Sequence, residues 1–214
     1  MEPANIPMVA LGAALLWFGW FGFNAGSALT SGGLAANAFV ATNTAACTAA
    51  ITWMSLGWIH RRPSLLGVAT GAVVGLVAIT PAAGFVSPLA AIPIGMVAAA
   101  ISFYVMMWRS RQKVDESLDV WACHGMGGTW GALATGVFAS VAVNSAGAAG
   151  LIYGSGILLA KQAAAVGVVW VVAFAGTWVL AKAVNAVVGL RVKQEEEVVG
   201  LDISQHGERA YGGL

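Results

Sequence analysis

The chain has 214 residues, of which 59% are hydrophobic and only 9% are charged, and its mean hydropathy is +0.82. Charged residues make up about a quarter of an ordinary globular chain, so a soluble domain of this length would lack the charge to cover its surface. The formal net charge of +1 gives no basic surface for a nucleic acid, and none is expected as a partner. These properties indicate an integral membrane protein whose surroundings are a lipid bilayer.

Long stretches without Asp, Glu, Lys or Arg divide the chain into membrane spans. Two of them, 3–60 and 63–108, each have room for two helices of the roughly 20 apolar residues that cross a bilayer. Two shorter stretches, 120–160 and 162–181, have room for one helix each. Backbone groups in hydrocarbon must be paired internally, so an all-α fold is expected. The sequence predicts about six transmembrane helices, at about residues 7–29, 35–59, 64–80, 88–108, 118–142 and 158–187.

Lysine and arginine residues fall mainly on one side of this arrangement. The loops after the second and fourth spans, together with the tail, contain Arg61, Arg62, Arg109, Arg111, Lys113, Arg191, Lys193 and Arg209. The loops at 30–34, 81–87 and 143–157 contain none. Because cytoplasmic loops are enriched in these residues, both termini are expected to be cytoplasmic, in a multi-pass protein of the plasma membrane.

Glycines repeat at helical spacing in the third and fifth spans. Gly67, Gly71 and Gly75 recur every four residues, and Gly127 and Gly131 have the same separation. In membranes, such bare helix faces let two backbones approach closely. We therefore expect these two spans to pack tightly against neighbouring helices.

The composition changes after the last span. Residues 1–187 are predicted to form the transmembrane domain and residues 188–214 a cytoplasmic tail, which contains the acidic run Glu195–Glu197. That run alone is more typical of a solvated face than of a site. Cys47 and Cys123 both fall inside predicted spans, where cysteine is ordinarily a small apolar residue, so no disulfide is expected.

His124 is an ionisable residue a few positions inside the fifth span. Ionisable side chains are costly in a membrane and tend to face a pathway or the bundle interior. Two interpretations stay open, a pathway residue or a packed histidine hydrogen-bonded to a backbone carbonyl. Asp119 lies near the cytoplasmic start of the same helix. Capping or a favourable charge at a helix N-terminus is a simpler role for it than transport chemistry.

Trp20, Phe23 and Ser27 follow one another at i, i+3 and i+7 in the first span and share one helix face. In the predicted orientation, this face lies in the outer half of the membrane. Aromatic faces attract small cations, and a hydroxyl oxygen accepts a hydrogen bond from ammonium. The alternative is an ordinary lipid-facing or core aromatic set, although the neighbouring Asn24 needs a polar partner at this depth.

An intramembrane enzyme built on Cys123, His124 and Asp119 is the poorest alternative. Adjacent residues on a helix point about 100° apart, so Cys123 and His124 cannot form a nucleophile–base pair. The sequence has neither metal-ligand spacing nor a phosphate-binding loop. No enzymatic activity, cofactor or metal is expected.

Four ordered segments carry a resemblance to a known family: residues 19–27 (GWFGFNAGS), 63–81 (with PSLLG and GLVAITP), 119–128 (DVWACHGMGG) and 189–211. They resemble the sixth, eighth and tenth helices and the cytoplasmic C-terminal region of the ammonium transporter/methylammonium permease/Rh family. The resemblance covers essentially the whole chain. It implies the second inverted repeat of that fold plus the final long helix and the tail, as in other transporters built from inverted repeats.

The resemblance also implies roles for single residues. Phe23 would be one of two stacked phenylalanines at the outer mouth of a pore, and Ser27 would help to line the recruitment site outside it. Trp20 would line the pore below, and His124 would be one of two paired pore histidines. Asp119 matches a motif aspartate that is best treated as structural. The expected assembly is a homotrimer of eleven-helix subunits.

The resemblance implies ammonium/ammonia transport by a pore that is incomplete without the first five helices of the family fold. The chain would then be a fragment, a truncated product or one half of a split transporter that needs a complementing N-terminal half. The alternative is a non-conducting regulatory membrane module that joins trimers or binds a PII-type signalling protein through its tail.

Overall fold

The computed structural model describes residues 3–60, 62–112 and 114–210. Four helices come first, α1 (Ile6–Gly26), α2 (Gly33–His60), α3 (Leu65–Ile79) and α4 (Pro88–Arg109). A π-helix, Trp121–Met126, then leads directly into α5 (Gly127–Phe138). A short 3₁₀ turn, Leu151–Tyr153, precedes α6 (Ile157–Val187), α7 (Gln194–Val199) and α8 (Leu201–Ser204). These three ranges contain no strand, and the predicted all-α class is confirmed.

Four of the described helices are long and apolar enough to cross a membrane, namely α1, α2, α4 and α6. α3 is also apolar but has only 15 residues. The fifth predicted span, 118–142, is helical over a shorter range, from Trp121 to Phe138. It is shorter because Asp119 before it has a left-handed φ of 53° and Ala139 after it is extended. Neither conformation continues a helix.

The chain divides into two compact units, Met1–Val166 and Gly167–Leu214. In the first unit, the core lies among α2, α3, α4 and α5, and small residues dominate it. Ala41, Ala45 and Ala49 on α2 are fully buried, as are Ala91 and Ala98 on α4. Because alanine side chains add little bulk, the helix axes can come close together.

Glycines let the backbones of this core touch. A Cβ atom added to Gly75 on α3 would overlap the backbone of Ala45 on α2. A Cβ atom added to Gly131 on α5 would likewise overlap the backbone of Ala78 on α3. The close packing that the glycine spacing predicts for the third and fifth spans is therefore confirmed.

α1 packs on this core with one face only. Asn24 is its one buried residue, and the Asn24 side-chain amide donates to Thr42 Oγ1 on α2 at 3.0 Å. The polar partner that Asn24 needs is thus supplied by a neighbouring helix. On the opposite face, the apolar side chains of Leu15 and Phe18 are exposed, by 64% and 77%. This second face of α1 is apolar, as helix faces that contact lipid or other helices are.

The second unit comprises the end of α6 and the tail. The α6 side chains from residue 167 onward are largely exposed and mostly apolar. In the tail, the Lys193 backbone N–H donates to Glu196 Oε2 at 3.0 Å and so caps α7. The Asp202 carboxylate accepts hydrogen bonds from the backbone N–H groups of Ala210 and Ile203, which lower the pKa of Asp202. The described part of the tail therefore folds onto itself.

The substitution Gly75→Ala is expected to destabilise the bundle by about 1–3 kcal/mol, because overpacking a tight contact forces the backbones apart. The measurement is the thermal unfolding midpoint of the purified chain in detergent. Gly12→Ala on α1 is the matched control, since nothing lies within 4 Å of a Cβ atom at that position. Equal midpoints for the two variants would contradict the backbone contact.

Candidate functional site

Trp20, Phe23 and Ser27 come together at the C-terminal end of α1; we call these three residues the α1 cluster. The Trp20 and Phe23 rings meet edge to face, with centroids 6.0 Å apart and planes at 88°. Ser27 is the C-cap of α1, and its Oγ donates to the Phe23 carbonyl at 2.6 Å. Because that hydroxyl uses its only proton in this bond, its oxygen remains available as an acceptor.

The Trp20 ring is fixed by a residue of another helix. Trp20 Nε1 donates to Thr80 Oγ1 at 2.8 Å, and Thr80 Oγ1 donates in turn to the Leu76 carbonyl at 2.7 Å. Thr80 directly follows α3, so this chain of hydrogen bonds attaches the α1 cluster to α3. Sequence reasoning missed Thr80. Thr80 lies in the segment GLVAITP, but nothing in the sequence indicated its bond to Trp20, because the two residues are 60 positions apart.

Phe23 lies at the edge of the described structure, with 62% of its surface exposed. One side of its ring contacts Trp20. An exposed phenylalanine beside a fixed tryptophan presents aromatic surface to whatever occupies the adjoining space. Aromatic faces attract cations by their quadrupole, and the attraction grows when the cation is desolvated.

His124 lies within the π-helix, and its side chain is exposed. Over residues 3–60, 62–112 and 114–210, the imidazole has no hydrogen-bond partner. No described backbone carbonyl accepts a hydrogen bond from it, as the packed-histidine interpretation would require, and the role of His124 stays a prediction. π-Helical turns are rare and are frequently found at functional sites, which makes the location of this histidine notable.

The α1 cluster and His124 lie on different helices that share one neighbour. α3 packs against α1, against the π-helix and against α5. Within the described ranges, the backbones of α1 and the π-helix do not come into contact. The helices that carry the two groups thus both pack on α3, and they do not pack on each other.

Asp119 is engaged by an arginine instead of capping the helix. Arg109 Nη2 donates to Asp119 Oδ1, and the two side chains form an ion pair. The cap that sequence reasoning gave to Asp119 is made by Glu116, whose Oε1 accepts from the Trp121 backbone N–H at 2.5 Å.

Cys123 and His124 have opposite surroundings. Cys123 is 5% exposed, whereas His124 is exposed. Among the described residues, no group of three or more His, Cys, Asp or Glu side chains could hold a metal ion. The arrangement therefore offers a cation-attracting cluster and an accessible imidazole, and it offers no nucleophile–base pair.

The described residues thus form an apolar helical bundle of the membrane-protein class, with an aromatic cluster at the end of α1 and an exposed histidine on the π-helix. Residues 1–211 match the family model described as Ammonium Transporter Family. The chain belongs to the ammonium transporter family.

Similar proteins agree with this assignment. The chain is 54% identical to ammonium transporter Amt1 of Archaeoglobus fulgidus, over 99% of the chain and 54% of that protein. It is 49% identical to the ammonium transporter of Bacillus subtilis, over 98% of the chain and 52% of that protein. These relatives are named as transporters and not as enzymes, which agrees with the prediction that the chain is not an enzyme. The chain spans about half the length of the curated relatives it matches.

Solved structures show the same fold. The crystal structure of Candida albicans Mep2 matches with a TM-score of 0.85 and 33% identity, over 91% of this chain and 45% of that one. Mep2 of Saccharomyces cerevisiae matches with a TM-score of 0.82 and 33% identity, over 87% and 46%. The predicted class, an all-α membrane protein with part of the ammonium transporter fold, is confirmed.

Removing the Thr80 hydroxyl is expected to free the Trp20 ring. Thr80→Val should lower the free energy of unfolding by about 1–3 kcal/mol, because a partly buried indole N–H loses its acceptor. Fluorine NMR of the 5-fluorotryptophan-labelled chain, with Trp20→Phe to assign the signal, should show the Trp20 resonance shift and broaden.

Thr44→Val is the matched control, because the Thr44 hydroxyl bonds only to the Val40 carbonyl of its own helix. A Trp20 resonance that is the same in Thr80→Val as in Thr44→Val would contradict the attachment.

Proposed function

We propose that this chain forms the second half of an ammonium transporter pore and carries ammonium or ammonia across the plasma membrane. The observation that carries the proposal is an exposed, unbonded His124 on a π-helix that packs on the same helix, α3, as the α1 cluster. Membership of the ammonium transporter family supports it.

In this proposal, the α1 cluster recruits the cation at the outer side. Phe23 and Trp20 supply aromatic surface, and the Ser27 oxygen, whose proton is committed to the Phe23 carbonyl, accepts a hydrogen bond from ammonium. Each of these interactions favours a small cation with N–H donors. They attract the ion without holding it as tightly as a carboxylate would.

Selectivity then follows from desolvation. Ammonium and potassium are similar in size and charge, so a wet pore would pass both. An apolar passage makes each ion lose its hydration, which is costly for a charge. Ammonium alone can release a proton and continue as neutral ammonia. A neutral imidazole offers one donor and one acceptor, so it can pass a proton on. His124 is the residue we assign to that step.

The pore is completed by helices outside this chain. The exposed apolar face of α1, with Leu15 and Phe18, is the surface we assign to a complementing N-terminal half. That half would supply the second histidine, a second phenylalanine over Phe23 and the outer aromatic residues. We further propose that the assembly is a homotrimer with both termini in the cytoplasm.

A non-conducting regulatory module is the second candidate. The tail favours it, because its described residues fold into a defined turn around Asp202. A folded tail suits the binding of a PII-type signalling protein. Methylammonium uptake by cells that express this chain together with its complementing half favours the transporter, whereas co-purification of the signalling protein without uptake by that assembly favours the module.

His124→Ala, introduced into the assembly of this chain with its complementing half, is expected to abolish ammonium transport or its selectivity over potassium. The reason is that no other described side chain of the π-helix offers a proton donor and acceptor at an exposed position. Currents in proteoliposomes under ammonium and potassium gradients measure both properties. His206→Ala in the tail is the matched control. Unchanged ammonium-selective currents in His124→Ala would refute the assignment.

A further inference from the structure

One arginine organises the segment between α4 and the π-helix. Arg109, the last residue of α4, donates from Nη1 to the Glu116 carbonyl at 2.8 Å, and its Nε lies 3.5 Å from Glu116 Oε2. Its Nη2 donates to Asp119 Oδ1. A single guanidinium therefore hydrogen-bonds one carboxylate and one backbone carbonyl of the loop and lies within ion-pair distance of a second carboxylate; we call Arg109, Glu116 and Asp119 the clasp.

The clasp is partly withdrawn from water. The side chains of Arg109, Glu116 and Asp119 are exposed by only 13%, 17% and 26%. Charge-assisted hydrogen bonds of arginine are directional, and in a desolvated setting the loss of one partner leaves an uncompensated charge. Arg109 consequently constrains the geometry of this loop more strongly than an ion pair in full contact with water would.

Both acids of the clasp are connected to the first turn of the π-helix. Glu116 Oε1 accepts from the Trp121 backbone N–H at 2.5 Å. The Asp119 backbone carbonyl accepts from the Cys123 backbone N–H at 3.0 Å. Asp119 has a left-handed φ of 53°, a conformation that is uncommon for residues with a Cβ atom, although aspartate adopts it more readily than most. The bond from Arg109 to its side chain stabilises this turn.

The helix therefore starts where the clasp places it. A shift of the helix start by one residue would rotate every side chain by about 100°. Such a rotation would carry His124 away from its exposed position and would bring a neighbouring side chain there. Cys123, which is now buried, is the residue whose exposure reports the rotation.

We infer that Arg109 is a positioning residue for His124, because it fixes the start and the register of the π-helix through Glu116 and Asp119. This inference rests on the proposed function for its effect on transport. Its effect on the π-helix is independent of that function.

The test combines two measurements on the same variants, Arg109→Gln and Arg109→Lys. The first is the rate at which a small maleimide labels Cys123 in the membrane-embedded protein, in a Cys47→Ser background that leaves one thiol. The second is the concentration dependence of methylammonium uptake by the assembled transporter. Arg111→Gln removes the same charge from an exposed position on the same loop and is the matched control.

Arg109→Gln is expected to raise the labelling rate of Cys123 and to lower the maximal uptake rate about tenfold, since small misplacements of a reacting group have effects of that size or larger. The half-saturating concentration should change little, because the α1 cluster that recruits the cation is on another helix. Arg109→Lys should recover part of the rate, because an ammonium group can reach one carboxylate but not both.

Glu116→Gln is a milder variant that keeps an acceptor for the Trp121 N–H and removes only the charge, so it serves if Arg109→Gln fails to fold. Unchanged Cys123 labelling in the folded variants overturns the inference, whatever the uptake. A rise in the half-saturating concentration of methylammonium with an unchanged maximal uptake rate also overturns the inference. If the parent protein transports nothing, the proposed function fails, and the labelling still decides whether the clasp sets the register.

Discussion

Direct backbone contact between α3 and its neighbours is the constraint on which the rest of the structure depends. The Ala45 backbone of α2 occupies the space that a side chain on Gly75 would need, and the Ala78 backbone of α3 occupies the space beside Gly131 on α5. Contacts of this kind contain no flexible side chain that could adjust to a shift. α3 therefore determines where α2 and α5 lie, and a change of one methyl group is enough to disturb the arrangement.

The α1 cluster and His124, the two groups of the proposed pore, are both positioned by α3. Thr80 at its end holds the Trp20 ring, and the π-helix that bears His124 packs along it. α3 thus sets the separation between the place where a cation is recruited and the place where a proton is exchanged. Because no charged residue lies in α3, the space beside it penalises a hydrated ion and favours a neutral molecule. In the proposed pore, rigid packing and ion selectivity would have the same origin in this small, apolar helix.

Local patterns were enough to predict most of the fold. Charge-free stretches located the helices, the glycine spacing located the close contacts, and the i, i+3, i+7 pattern located the α1 cluster. The sequence could not reveal the π-helix, because one inserted residue hardly changes the apolar pattern of a span. It also assigned Arg109 only to the orientation of the protein, since its ion-pair partners Glu116 and Asp119 are brought to it by the fold of the loop. Thr80 was missed for the same reason, as its bond is made in three dimensions.

The central claim is that His124 lies in a passage which ammonium enters and potassium does not. Nitrogen-15 NMR of histidine-labelled assembly in proteoliposomes tests it most directly, because the chain contains only three histidines, His60, His124 and His206. With equal additions of each salt, the account predicts that the His124 ring signals shift with ammonium and stay unchanged with potassium, while the other two do not distinguish the salts. His124 signals that ignore ammonium, or that respond equally to potassium, would contradict it.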